Sequence, residues 1–215
     1  MTPPIQIRTL TSVPFEENTY VVWLPGRGDA VVVDPGLEPD MILDFLRDEG
    51  LTPSAILNTH GHADHIAGNE VMKQSFPAAP LVIGANDVPL LRNAELNLSA
   101  AFGFEIISPP ADRTVTEGDI VEAAGLRFEV YDVPGHSPGH VVFVFRGPPC
   151  VVFGGDVLFR DGVGRTDYPG GDARLLYDGI RGKLYTLPLD TVVYPGHGPV
   201  TTIGHEMGNN PFVVK

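Results

Sequence analysis

Four apolar segments of this chain each run directly into a short turn that carries a histidine or an aspartate. The segments are residues 54–57, 126–133, 150–153 and 191–194, and the turns that follow them are residues 59–65, 134–136, 154–156 and 195–197. Strands fix the direction of the chain, and the loops at their ends carry chemistry. If the four strands lie side by side, their ends converge. The pattern therefore predicts a fold that gathers distant polar residues at one site.

The first of these turns holds three of the seven histidines of the chain. It places His60, His62, Asp64 and His65 within six residues. Imidazole and carboxylate groups are ligands that suit zinc, iron or manganese. Burying so many polar groups without partners would cost several kcal/mol. The cluster therefore indicates a metal site rather than ordinary packing.

The other three turns complete two sets of four ligands. We expect site one to contain His60, His62, His136 and Asp156, and site two to contain Asp64, His65, His197 and Asp156. Asp156 is shared because its two carboxylate oxygens can bridge ions about 3.5–4 Å apart. A water that bridges two such ions is hydroxide near neutral pH and is the expected nucleophile. Asp64 is the candidate catalytic residue as well as a ligand.

The composition narrows the range of partners and compartments. The chain has 215 residues and a net charge of −13, so we expect neither nucleic acid nor an anionic membrane as a partner. No apolar run has the length of a membrane span, and residues 1–6 lack the pattern of a signal peptide. The single cysteine, Cys150, allows no intrachain disulfide and is interpreted as a small buried hydrophobe. We expect one cytoplasmic domain over residues 1–215.

The remaining pattern predicts strands at residues 5–11, 20–24, 30–33, 81–83 and 141–145. Pro39 and Gly50 bracket a helix, because proline suits a first helical turn and glycine a C-terminal cap. Two more helices are expected from about residue 64 to 76 and from 173 to 184. Residues 86–107 are less regular and are expected to cover the site.

These motifs resemble the metallo-β-lactamase superfamily over almost the whole chain. The runs that carry the resemblance are residues 59–68, 134–136, 155–156 and 195–197. Runs 154–159, 162–172 and 202–212 are similar to the short, single-domain branch of glyoxalase II-like (hydroxyacylglutathione hydrolase-like) enzymes. The resemblance implies an α/β fold, namely an αββα sandwich of two mixed sheets flanked by helices. It also implies two divalent metal ions, with zinc expected and iron or manganese as alternatives.

The implied activity is metal-dependent hydrolysis of small-molecule thioesters, with S-lactoylglutathione or a related hydroxyacylglutathione as substrate. Full-length glyoxalase II carries a C-terminal helical domain that helps to grip glutathione, and with about eighteen residues after His197 we expect this chain to lack it. Alternatives are a lactonase or other ester hydrolase, and a non-catalytic metal-stabilised binding module. A persulfide dioxygenase with one iron is a further alternative, because such enzymes share a run like Gly164 to Asp167. A β-lactamase is disfavoured because no export signal is visible.

Arg165 is the candidate substrate-binding residue. It fills the position at which family members place a basic residue against glutathione, although Asp167 stands where an aromatic residue is usual. The alternative is that Arg165 pairs with Asp161, Asp167 or Asp172 and merely orders the loop.

Three residues near the turns have alternative interpretations. His140 is expected to pack or support the site rather than bind metal, and Asp34 either supports a ligand or caps a turn. Ser137 matches a nucleophile elbow in sequence, but a strand is expected after it where an elbow needs a helix, so a turn residue is expected.

Overall fold

The computed structural model of the chain describes residues 5–213. Residues 1–4, which belong to the segment predicted to lack a signal peptide, lie outside that range. Residues 214 and 215, at the end of the predicted domain, also lie outside it.

The first sheet has six strands in chain order. They are β1 (Gln6–Ser12), β2 (Glu17–Trp23), β3 (Asp29–Val33), β4 (Thr52–Asn58), β5 (Leu81–Gly84) and β6 (Arg113–Val115). The first three strands pair antiparallel, and β3 to β6 pair parallel. The sheet is therefore mixed.

The second sheet also has six strands, in the order β14-β13-β10-β9-β8-β7. Its strands and the small ribbon β11–β12 are β7 (Ile120–Ala123), β8 (Leu126–Asp132), β9 (Val141–Phe145), β10 (Val151–Gly155), β11 (Leu158–Phe159), β12 (Gly162–Val163), β13 (Val192–Pro195) and β14 (Thr201–Thr202). The helices are α1 (Pro39–Glu49), α2 (Ala63–Ile66), α3 (Asn69–Ser75), α4 (Ala173–Gly182) and α5 (Ile203–Asn209). Short 3₁₀ turns cover Ala85–Arg92, Ser99–Phe102 and Leu184–Thr186.

Successive side chains of a strand point to opposite faces of its sheet. Apolar residues on both faces of a strand therefore pack into two separate layers, one between the sheets and one beneath the helices. In β3, Val31 and Val33 pack in the cluster that also contains Phe128 and Phe143 of the second sheet. Their neighbour Val32 packs in the cluster on the other face. The two sheets therefore face each other across one apolar core.

Helices cover both outer faces. Ile42 and Leu46 of α1 are buried in the cluster behind the first sheet, and Leu176 and Ile180 of α4 are buried in the cluster behind the second. Helical spacing of three or four residues places each pair on one side of its helix. The predicted αββα sandwich of two mixed sheets is confirmed.

The helix predicted from residue 64 to 76 is wrong in one respect, because the chain forms two helices there, α2 and α3. The break falls at Gly68, whose backbone N–H donates to the Pro35 carbonyl at 2.8 Å. A Cβ at Gly68 would lie only 2.9 Å from the carbonyl oxygens of Pro35 and Gly36. Close approach of two backbones therefore interrupts the helical pattern.

The four strands that end in polar turns do not lie side by side. β4 belongs to the first sheet, whereas β8, β10 and β13 belong to the second, with β9 between β8 and β10. The polar turns therefore converge from two facing sheets rather than from neighbouring strands of one sheet. Within residues 5–213, no helix combines the length and the apolar character that a membrane crossing needs. Cys150 is half-buried and packs against the cluster behind the second sheet.

Candidate metal centre

The polar turns open onto one edge of the sandwich. β10 is parallel to β13, and both β8 and β10 are antiparallel to β9. Consequently β8, β10 and β13 run in the same direction, and the turns that follow them lie at the same edge. The turn after β4 reaches this edge from the facing sheet.

The residues predicted for site one come together. Ligand atoms of His60, His62 and His136 all lie within 4.8 Å of one another. His62 Nδ1 is 2.9 Å from His136 Nε2, and His136 Nε2 is 3.4 Å from Asp156 Oδ2. Three imidazoles and one carboxylate therefore surround a common point, which is a donor set that zinc and iron accept.

The residues predicted for site two form an adjacent group. Ligand atoms of Asp64, His65 and His197 also lie within 4.8 Å of one another. His197 Nε2 is 3.2 Å from Asp64 Oδ2, and His65 Nε2 is 3.7 Å from the same oxygen. Asp156 contributes from the other side, with Oδ2 at 3.6 Å from His197 Nε2.

Asp156 lies between the two groups, as expected of a shared carboxylate. Its Oδ1 is 3.4 Å from His65 Nε2, and its Oδ2 is 3.4 Å from His136 Nε2. Among the described residues, Asp156 Oδ1, His60 Nε2 and His65 Nε2 are buried and make no hydrogen bond. Buried polar atoms normally have partners, because leaving each one unpaired costs about 1–3 kcal/mol. The orphaned atoms face the centre, so the donor set fits divalent metal ions, and the assignment of individual ligands stays a prediction.

Hydrogen bonds on the far side of the rings orient the ligands. His136 Nδ1 lies 2.8 Å from the Arg165 carbonyl, and His197 Nδ1 lies 3.1 Å from the Phe15 carbonyl. A carbonyl only accepts, so each Nδ1 carries the proton and each Nε2 is free to bind an ion. His62 is turned the other way, with Nδ1 toward the centre.

Asp34 performs the same task for His65, which resolves the two interpretations of that residue. Its Oδ2 is 3.0 Å from His65 Nδ1 and accepts from the Thr59 hydroxyl at 2.7 Å, while Oδ1 accepts from the Thr59 backbone N–H at 2.7 Å. His140 is a support as expected: its Nε2 accepts from the Asp156 backbone N–H at 3.0 Å, and its ring stacks on His60.

The protein groups alone affect the imidazoles of the centre in two opposite ways. Burial would lower the pKa of His65 and of His197, but the carboxylates of Asp64 and Asp156 reverse this, and both pKa values are raised. Burial lowers the pKa of His60 well below its usual range, and burial together with His136 lowers the pKa of His62 to about 3. Burial would raise the pKa of Asp64 and of Asp156, yet the neighbouring His65 reverses this, and both pKa values are lowered. Neutral nitrogens and charged oxygens are the forms that bind metal.

Asp87 is a functional neighbour that the motifs do not reveal. Its Oδ2 accepts from the Gly61 backbone N–H at 2.9 Å and from the Ser137 hydroxyl at 2.6 Å. Its Oδ1 accepts from the Gly139 backbone N–H at 2.6 Å. Gly61 lies between two predicted ligands of site one and Ser137 follows the third, so this buried carboxylate joins the two turns that carry them. No local spacing in the sequence relates residue 87 to either turn.

Two residues at the start of β2 also escape sequence reasoning. The Asn18 amide donates to the carbonyls of Pro195 and Gly198 at 3.2 and 2.9 Å, which ties the first sheet to the turn that bears His197. Glu17 is fully buried beside it, accepts from the Ser12 hydroxyl at 3.2 Å, and burial raises its pKa well above the usual range. The strand predicted from the sequence begins only at residue 20, and no motif marks either position.

A cavity of about 270 Å³ lies directly over the two ligand groups. Asp64, His62, His136, Asp156 and His197 form its polar floor. Its apolar wall contains Phe15, Leu98, Phe102, Phe159, Val163 and Tyr168. Leu98 and Phe102 come from the irregular segment 86–107, which confirms that this segment covers the site.

Arg165 lies at the mouth of the cavity in a bidentate ion pair. Its Nε donates to Asp167 Oδ1 at 2.9 Å and its Nη2 donates to Asp167 Oδ2 at 2.8 Å. The other two candidate partners are engaged elsewhere: Asp161 with His205, and Asp172 as the cap of α4. The substrate-binding role of Arg165 stays a prediction.

Comparison with known proteins gives matches along nearly the whole chain. The sequence profile of the metallo-beta-lactamase superfamily matches residues 13–197. Hydroxyacylglutathione hydrolase GloC of Haemophilus influenzae is 35% identical over 212 residues, covering 97% of this chain and 98% of that protein.

Solved structures agree with this result. BLEG-1 B3 metallo-beta-lactamase superposes with a TM-score of 0.93 at 37% identity, covering 98% of this chain and 100% of that one. TTHA1623 in a di-iron-bound form gives 0.84 at 40% identity, covering 95% and 99%. ETHE1 from Myxococcus xanthus gives 0.81 at 31% identity, covering 97% and 84%.

Proposed function

The chain belongs to the metallo-beta-lactamase superfamily, and on this premise we propose that it is a binuclear metallohydrolase of thioesters, with S-lactoylglutathione or a related hydroxyacylglutathione as substrate. The relative named hydroxyacylglutathione hydrolase GloC supports this substrate class. The observation that carries the proposal is the position of Asp156 between two ligand groups on the floor of a mostly apolar cavity.

The same groups define which residues would hold the ions. His60, His62 and His136 would hold one ion, Asp64, His65 and His197 the other, and Asp156 both. When bound, divalent ions polarise a carbonyl and bring the pKa of water toward neutrality. Zinc is the expected metal, and the relative described in a di-iron-bound form supports iron as an alternative.

The chain's own residues position the reactants. The carboxylate of Asp64 lines the cavity beside His197, so it is the proposed catalytic residue, which accepts a proton from the attacking water. The apolar wall formed by residues such as Phe102 and Phe159 excludes bulk water around the acyl group. His136 and His197 are kept in position by their backbone-carbonyl partners, so the ligand geometry is set before substrate binds.

A thioester panel on protein reconstituted separately with zinc, iron or manganese tests the proposal. We expect hydrolysis of S-lactoylglutathione that disappears on chelation and returns on adding metal. Asp64→Asn should abolish turnover, whereas the matched exposed variant Asp190→Asn should not. Turnover that persists after chelation would contradict a metal-dependent hydrolase. Turnover of Asp64→Asn that equals that of the wild type would contradict the catalytic role of Asp64.

The same panel separates the alternatives. A lactone, a simple ester and a cephalosporin test the other hydrolases, the last because BLEG-1 is described as a B3 metallo-beta-lactamase. Oxygen consumption with glutathione persulfide tests the one-iron dioxygenase, which the run Gly164 to Asp167 resembles. The position of Asp156 between two ligand groups favours the binuclear hydrolase over that alternative.

A further inference from the structure

Arg165 is held in a fixed place relative to the metal centre. Its backbone carbonyl is 2.8 Å from Nδ1 of His136, one of the predicted ligands. Tyr168, three residues further along the chain, packs edge-on to the rings of His62 and His136, at centroid distances of 5.6 and 6.0 Å. The segment from 165 to 168 is thus anchored at the rim of the cavity, within reach of whatever part of a substrate extends beyond the reacting carbonyl.

The guanidinium of Arg165 forms an ion pair along one edge, with Asp167, and packs one face on the Tyr168 ring. Both oxygens of Asp167 accept from its Nε and Nη2, which is the bidentate geometry that a substrate carboxylate would need. One face lies over the Tyr168 ring, with Cζ 4.5 Å from the ring centre. Asp167 therefore occupies the binding edge that would otherwise recognise an anionic substrate.

The other described residues that line the cavity supply no second positively charged lysine or arginine to compensate for the pairing of Arg165 with Asp167. Among the described residues that line it, Arg165 is the only lysine or arginine. The carboxylates on the cavity floor, Asp64 and Asp156, belong to the predicted metal centre. Apart from Asn97, the remaining wall is aromatic and aliphatic, and the chain as a whole has a net charge of −13. Such a wall suits an uncharged, apolar thiol portion, and apart from Arg165 its described residues offer no lysine or arginine to a substrate carboxylate.

We propose that Asp167 is a specificity-determining residue, which neutralises Arg165 and weakens the binding of the glutathione carboxylates, so that the cavity also accepts thioesters of uncharged thiols. The inference rests on the proposed function, since it concerns the thiol portion of the same substrate. The side chains of Arg165 and Asp167 are 64% and 66% exposed. Exposed ion pairs are weak, so one substitution at Asp167 is enough to free the guanidinium.

Equilibrium binding to the metal-loaded protein tests this without requiring turnover. The probes are two thioethers that cannot be hydrolysed as thioesters: S-methylglutathione, which carries two carboxylates, and N-acetyl-S-methylcysteamine, which is uncharged. Titration calorimetry of Asp167→Asn should show S-methylglutathione binding about fivefold more tightly than in the wild type, the upper range for one exposed ion pair. Affinity for the uncharged probe should not change.

Two controls distinguish specificity from structure. Adding Arg165→Gln to Asp167→Asn should cancel the gain, and 0.5 M salt should reduce it because exposed charges are screened. Asp29→Asn is the matched variant, since Arg27 and Asp29 form the same bidentate pair away from the cavity, at 2.7 Å for both contacts. That variant should alter neither affinity.

The outcomes keep the two proposals apart. Equal changes for both probes, or S-methylglutathione binding to Asp167→Asn no more tightly than to the wild type, overturns the role of Asp167. In kinetics, Asp167→Asn should lower KM for S-lactoylglutathione and leave KM for an N-acetylcysteamine thioester unchanged, with kcat unaffected for both. Failure of every thioester to react would overturn the proposed function, while the thioether titrations would still decide this inference.

Discussion

Removing the carboxylate of Asp87 is the sharpest test of how the two ligand-bearing turns are held together. Asp87 is fully buried and accepts hydrogen bonds from Gly61, Ser137 and Gly139. In Asp87→Ala, two backbone N–H groups and one hydroxyl lose their acceptor. The turn that bears His60 and His62 then loses its link to the turn that bears His136. We expect lower stability and weaker metal binding at site one.

The magnitude follows from the unpaired donors. Each buried donor without an acceptor costs about 1–3 kcal/mol, so three donors set a range of roughly 3–9 kcal/mol. Burial raises the pKa of Asp87, which shows that the charge is itself costly there, and removing it offsets part of the loss. We therefore expect a loss near the lower limit, ~3 kcal/mol. For a chain of this size that corresponds to a melting temperature lower by roughly 6–12 °C.

Thermal unfolding and elemental analysis of the same preparations measure both effects. Asp87→Asn keeps one acceptor oxygen, so its loss should be smaller than that of Asp87→Ala. Asp190→Ala removes an exposed carboxylate and serves as the control. Should Asp87→Ala melt within 1 °C of that control and retain its full metal content, the link between the turns has been misread.

The remaining predictions concern the ions and one surface carboxylate. Protein purified without chelator should contain close to two metal ions per chain by elemental analysis, and chelation should lower its melting temperature; a stoichiometry of one after reconstitution would contradict the binuclear centre. Asp156→Ala should displace both ions, whereas His197→Ala should mainly weaken site two; loss of a single ion in Asp156→Ala would show that the carboxylate is not shared. The pKa of Asp112 is lowered by the Leu81 backbone N–H and by Lys73, so its stabilisation is present above the ordinary carboxyl pKa and is lost as pH falls through the lowered value. Denaturant unfolding between pH 6 and pH 3 should therefore show a smaller loss of stability for Asp112→Asn than for the wild type, and equal losses would contradict this.

Local spacing was enough to predict the ligand cluster but not the residues that support it. His60, His62, Asp64 and His65 lie in one short run, and such a run is recognisable because adjacent residues remain adjacent in any fold. Asp87 carries no comparable signal, since its three partners lie at residues 61, 137 and 139. Its role exists only because the irregular segment returns to the edge of the sandwich.

The sequence by itself determined the layers and the family. Alternating apolar residues specify which face of each strand is buried, and this pattern needs no knowledge of distant contacts. It also indicated which side chains are candidate ligands, because the chemistry of imidazole and carboxylate is carried by each residue wherever it lies. The family match and the two sheets confirm the family and the layers, whereas the individual ligands stay predictions.

Only the tertiary structure decided how these parts meet. It placed β4 in one sheet and β8, β10 and β13 in the other, so the centre forms between two sheets rather than along one. It also paired Arg165 with Asp167, although Asp161 and Asp172 were equally available in the sequence. Such pairings depend on distances set by packing of the whole chain, and a pattern of neighbouring residues does not contain those distances.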